Sequence, residues 1–235
     1  MNKYLIILLI IIIFCSIYNN KLKIIEQYDT NNINDTNNVD DKCNEEDLKY
    51  NPDIWNNKYI QKSHNCYNYA FNNINLDQLQ KSKNWYDNSD NKDLLKQKGG
   101  ISFSDECENK RLCCKSALKE LQEDHPDMII LNGINKDICP DDYHKAGLLI
   151  SDNGKSFHFL REDECNNENN VWSHKNAYAK VTRGDKNNNE FTSLKEGNFD
   201  YTNTHGENAN YNELCDYFCV KTKDLPIKEI NKIIN

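Results

Sequence analysis

Residues 145–161 read KAGLLISDNGKSFHFLR, and this stretch decides the fold class. Lys145 to Ser151 is a mostly apolar run of strand length. Asp152-Asn153-Gly154 follows it, a turn signal suited to a hairpin. Ser156 to Arg161 then alternates polar and apolar residues, the period of a half-buried strand. Two such runs joined by a tight turn pair antiparallel. Further short strands are predicted at Met128 to Leu131 (MIIL), Val171 to His174 (VWSH), Lys180-Val181-Thr182 and Asp216 to Val220 (DYFCV). Glu162 to Asn170 is polar and reads as a loop.

Upstream the period changes. Cys66 to Ile74 (CYNYAFNNI) places Tyr69, Ala70 and Ile74 about one turn apart, which predicts a helix starting near Cys66. Cys107 to Glu123 puts Cys114, Ala117, Leu118 and Leu121 at helical spacing, and His125-Pro126 ends that helix. Helices followed by an antiparallel meander make an α+β domain. Its apolar residues are regularly spaced from Cys43 to Val220, enough chain for one core. The domain is drawn at residues 43–225. Residues 226–235 form a C-terminal tail, where Ile227, Ile230 and Ile234 allow a short helix.

The N-terminus sets the compartment. Tyr4 to Tyr18 (YLIILLIIIIFCSIY) carries no charge, with Lys3 before it and Lys21 and Lys23 after. Such a run is short for a membrane span and suits a signal-peptide core. Residues 1–25 are therefore a signal anchor or a cleaved signal peptide. Either sends the rest of the chain to a membrane-tethered, secreted or virion setting, where disulfides persist. Residues 26–42 hold too few apolar groups to offset chain entropy and read as a disordered tether. The tether contains the chain's one glycosylation sequon, Asn34-Asp35-Thr36.

Composition narrows the function. With 29 Lys+Arg against 37 Asp+Glu the net charge is -8, and only Arg111, Arg161 and Arg183 are arginine. A nucleic-acid binder needs clustered basic residues, so that class is excluded as a partner. Asparagine is so abundant, at 39 residues, that no single asparagine is informative.

The cysteines give a parity argument. Setting aside Cys15 in the leader leaves Cys43, Cys66, Cys107, Cys113, Cys114, Cys139, Cys165, Cys215 and Cys219. Nine is odd, so eight can pair and leave one thiol over, or one pairs between chains. Cys66 is the candidate. It opens a predicted helix, with Ser63 or Asn65 available as cap, where the helix dipole favours thiolate. No Cys-x-x-Cys occurs, and Cys113-Cys114 and Cys215-x-x-x-Cys219 are poor zinc spacings. Asp185-x-Asn187-x-Asn189 with Glu196 has calcium-loop spacing, but Glu190 stands where the loop needs Gly. A hairpin loop is expected there, and no metal or cofactor.

Three stretches resemble a poorly characterised family of bacterial, phage and giant-virus proteins. They are Asn65-Cys66-Tyr67-x-Tyr69-Ala70, then His158-Phe159-x-Arg161-x-Asp163, then Trp172-Ser173-His174-Lys175, closing on Tyr217-Phe218-Cys219. The order of parts is also similar to papain-like cysteine hydrolases of the NlpC/P60 kind. There a cysteine at a helix start precedes a sheet bearing a histidine base and a third polar residue. That similarity implies Cys66 as nucleophile, His158 as base and His174 as its orienting partner. His144 is an alternative base, since YHKAGLLIS resembles the base-carrying strand. The triad requires a strand register that puts His158 and His174 on one face; pairing Arg161 with Trp172 would send them to opposite faces, and a slip of one residue brings them together. Arg161 and Asp163 would bind a substrate carboxylate or pair locally, and Trp172 would be core.

Two functions follow. One is a thiol hydrolase, peptidase or amidase, acting on a peptide or amide substrate. The other is a non-catalytic, disulfide-stapled domain that binds a ligand.

Overall fold

The sheet is built outward from the hairpin at residues 143–166. The computed structural model describes residues 50–88, 97, 99–102, 107, 112–132, 138–166, 169–202 and 209–235, except the side chains of 164–166, 169 and 170. The leader, the tether, the sequon, Cys15, Cys43 and the Cys165 side chain lie outside these residues. The chain divides into residues 1–42 and 43–235, and everything below concerns the second unit. Among the described residues no helix is long and apolar enough to cross a membrane.

β2 (Tyr143–Ser151) and β3 (Phe157–Asn166) pair antiparallel, with Leu148 opposite Phe159. Gly154 turns the chain at a φ of 62°, in the left-handed region that glycine adopts without strain. β4 (Asn169–Lys175) pairs with β3, and β5 (Val181–Thr182) with β4. β6 (Tyr211–Lys221) returns to the free side of β2, and β1 (Ile129–Ile130) pairs outside β6. The six-stranded order is β1-β6-β2-β3-β4-β5, antiparallel throughout. The meander expected from sequence covers β2 to β5, and β6 breaks it by joining β2 from the far side.

Helices precede the sheet. They are α1 (Pro52–Trp55), α2 (Lys58–Ser63), α3 (Cys66–Ala70), α4 (Leu76–Asn88) and α5 (Cys114–Asp124). α6 (Ile227–Ile234) closes the chain. The α+β class therefore stands. α5 starts at Cys114 rather than Cys107. The cause is the Cys107–Cys113 disulfide together with extended backbone at Cys113 (φ -141°, ψ 151°). Residues 162–166 and 169–170 are strand rather than loop: β3 runs on to Asn166 and β4 begins at Asn169. Backbone pairing, with a register shift between Glu162 and Glu164, carries these polar residues in strand form.

Side-chain alternation gives the sheet two different faces. On one, Ala146, Leu148, Ile150, Phe159, Phe218 and Val220 pack under α3 and α5, against Cys66, Ala70, Phe71, Ala117 and Leu121. On the other, Leu149, Leu160, Trp172 and Tyr217 pack under the segment bearing Phe191, Leu194 and Phe199. A third cluster joins Trp55, Ile60, Tyr69 and Leu79 to Ile230 of α6, which is 1% exposed. The terminal stretch read as a tail thus seals the helical layer. Disulfides Cys114–Cys215 and Cys139–Cys219 tie α5 and the segment before β2 to β6.

Candidate functional site

Asn65 builds the turn that presents Cys66. Its carboxamide oxygen accepts the Asn68 N–H at 3.3 Å, and the Asn68 oxygen accepts the Asn65 N–H at 3.1 Å. This reciprocal box starts α3 with Cys66 as its first residue. Cys66 keeps its thiol while six other described cysteines are bridged. It is 5% exposed. α3 spans only five residues, so its dipole is a weak influence on the thiol.

The group that stands with Cys66 is Lys175, at the end of β4. Ser173 and Lys175 alternate onto the α3 face of the sheet, where Ser173 Oγ meets Tyr69 Oη at 2.6 Å. Lys175 is fully buried. Its Nζ donates to Gln61 O at 2.8 Å and to Ala177 O. Burial pulls its pKa down to about 7, which the Cys66 thiol opposes through its charge when ionised and nearby Lys62 assists. Among the described residues no carboxylate pairs with it.

A short segment crosses this pair. Asn65 Nδ2 donates to Gly99 O at 2.9 Å. Gly99 and Gly100 have φ of 98° and 130°, and a Cβ at Gly99 would lie 2.7 Å from the Tyr67 ring. Gln97 Nε2 donates to His64 O at 2.9 Å and to Ala177 O at 3.2 Å, with Gln61 O at 3.5 Å.

The structure brings His158 and His174 together, but away from Cys66. Leu160 pairs with His174 and Arg161 with Ser173, so His158 and His174 share the Leu160 face. Cys66 packs in the cluster of Phe159, on the opposite face. His158 Nε2 and His174 Nδ1 are 2.9 Å apart, and His174 Nε2 is 3.0 Å from Gly184 O. A carbonyl accepts only, so His174 carries its proton on Nε2 and accepts from His158 through Nδ1. His158 Nδ1 then has no hydrogen-bond partner among the described residues. The expected Cys66–His158–His174 triad is therefore not assembled. The β3–β4 register does bring the two histidines to one face, but the alternation of β3 puts that face opposite Phe159 and Cys66.

His144 lies on the Cys66 face but at the other end of α3. Its Nε2 donates to Ala70 O at 2.7 Å, and its Nδ1 lies 3.1 Å from Thr222 Oγ1. Burial pulls its pKa down to about 4. Its ring closes the C-terminal end of α3 rather than serving the thiol. His64 is also buried: its Nε2 accepts the Asn75 N–H at 3.0 Å, and burial with the Lys175 charge lowers it to about 4.

Arg161 and Asp163 pair locally. Arg161 Nε meets Asp163 Oδ1 at 2.9 Å, and Nη1 donates to Tyr69 O at 3.1 Å and Asn72 Oδ1 at 3.2 Å. They fasten α3 to the sheet. Trp172 is fully buried core. Asp185 receives the backbone N–H groups of Asn187, Asn189 and Asn198, so the calcium-like spacing forms an ordinary turn. Among the described residues no cluster of metal-ligating side chains occurs.

Sequence reasoning missed Lys175 and Gln97. Lys175 had a signal, since its spacing from Ser173 puts both on one strand face. Gln97 had none. Comparison with protein-family models, curated proteins and solved structures finds no match.

Proposed function

We propose that the protein is a thiol hydrolase, a peptidase or amidase, with Cys66 as nucleophile and Lys175 as the base that takes and returns its proton. The observation that carries this reading is that a retained thiol, Cys66, lies on the sheet face that also carries a buried lysine, Lys175, held by Gln61 O and with no carboxylate partner among the described residues. A buried amine with pKa near 7 is divided between both protonation states at neutral pH, as a general base must be. It accepts the Cys66 proton for attack on an acyl carbon and returns it to the leaving group. The arrangement follows the papain-like order, a cysteine-bearing helix before an antiparallel sheet, with lysine in place of the NlpC/P60 histidine. Three disulfides support an oxidising, luminal, extracellular or virion setting.

The low exposure of Cys66 favours a second reading, in which its thiol is a core residue of a stapled binding domain. Acyl trapping separates the two. Reaction with p-nitrophenyl acetate gives one acetyl group on Cys66 by peptide mapping, absent in Lys175→Met. Acetylation confined to surface lysines would support the binding domain.

A further inference from the structure

The carboxamide of Gln97 and the amine of Lys175 are seated on the same carbonyls. Gln61 O and Ala177 O accept from Lys175 Nζ, and both also lie on Gln97 Nε2. His64 O, two residues before Cys66, completes the set at 2.9 Å. Backbone carbonyls converging on one point accept N–H and repel an oxygen. This cradle therefore selects an –NH2 group beside the thiol and its base. The Gln97 carboxamide is held there by a segment that Asn65 also grips at Gly99 O.

We propose that the cradle is the leaving-group subsite of the Cys66–Lys175 centre, held in this structure by Gln97 as an internal stand-in. The substrates it fits are primary carboxamides, of the glutamine or asparagine side-chain type, converted to carboxylate and ammonia. The inference rests on the reading of Cys66 as nucleophile. The Cys66 thiolate attacks the amide carbon, and the C–N bond breaks. The nitrogen takes a proton from the Lys175 ammonium and leaves as ammonia. Water, deprotonated by the Lys175 amine, then cleaves the thioester and gives the carboxylate and the thiol. A tertiary amide has no N–H for the cradle, so His64 O, which takes no donor from Lys175, loses the one it has, a basis for rejection.

The test uses two alkylating reagents, 2-chloroacetamide and N,N-dimethyl-2-chloroacetamide, on Cys66 in Gln97→Ala and in wild type. Gln97→Asn serves if the alanine variant melts early. Rates are normalised to those of glutathione and followed against pH by peptide mapping. Clearing the cradle should speed chloroacetamide at least about tenfold, and should raise its preference over the dimethyl reagent at least about tenfold above that of glutathione. A low-pKa Cys66 that reacts without this preference overturns the carboxamide subsite and leaves the hydrolase reading intact. A Cys66 that titrates as an ordinary buried thiol in both proteins overturns the hydrolase reading, and the subsite with it.

Discussion

His158 Nε2 donates to His174 Nδ1 across 2.9 Å, and both rings are buried on the sheet face opposite Cys66. Two neutral imidazoles sharing one proton cannot both charge without breaking this bond.

Acid should therefore destabilise the fold well before carboxylates protonate. Burial holds His174, His144 and His64 at about 4, and holds His158 well below its ordinary value with added repulsion from His174. The charged groups that act on them are Asp185 at His174, Arg161 at His144 and Lys175 at His64. In the unfolded chain these rings protonate near pH ~6.5, so below that the unfolded state binds more protons. The contribution of these rings is then full above pH ~6.5 and falls as pH drops toward ~4, by about 3 kcal/mol for each of the three held at about 4. Urea unfolding from neutral to mildly acid pH checks this. A flat midpoint would show that these histidines are not held neutral.

Cys66→Ala should leave the fold standing. It removes one thiol from a core and breaks no bridge, a change of about 1–2 kcal/mol. Opening Cys114–Cys215, which closes a separation of 101 residues, should cost about 4–5 kcal/mol in the loop-entropy account. Thermal melts of Cys66→Ala and of the Cys114→Ser/Cys215→Ser double variant give the ranking. Equal losses would mean that Cys66 is a structural keystone rather than a reactive group.

Arg161→Met should destabilise by about 3 kcal/mol, because it leaves the buried Asp163 carboxylate with only the more distant Arg183, at 3.8 Å, as a cation. The Arg161→Met/Asp163→Leu double variant should lose less than the sum of the two single changes. Additive losses in chemical unfolding would show that the two side chains act independently.

The sheet was legible because its pattern is local. KAGLLIS, DNG and SFHFLR specify strand, turn and strand within seventeen residues, and the structure keeps all three. The parity of the cysteines and the helix-start context of Cys66 likewise need only the chain. The β3–β4 register was not legible, because polar residues at 162–170 fix no face by hydrophobicity. The register that formed does put His174 on the face of His158; what separates both from Cys66 is the alternation of β3 itself, which turns Phe159 rather than His158 toward α3. The helices α1, α2 and α4 were missed for a different reason. Asn57 accepts from Tyr59 N and Asn75 from Gln78 N, so asparagines cap α2 and α4. In so asparagine-rich a chain, the informative ones are hidden among the rest. Lys175 acquires meaning only through long-range packing, which brings Gln61, Cys66 and Gln97 around it.

The central claim is that Lys175 governs the protonation of Cys66. The most direct measurement is the ultraviolet absorbance of the Cys66 thiolate against pH, taken as wild type minus Cys66→Ala and repeated in Lys175→Met. The account predicts that the thiolate forms below the ordinary thiol value of ~8.5 in the wild type, and well above it once the amine is gone. Coincident curves for the two proteins would contradict it.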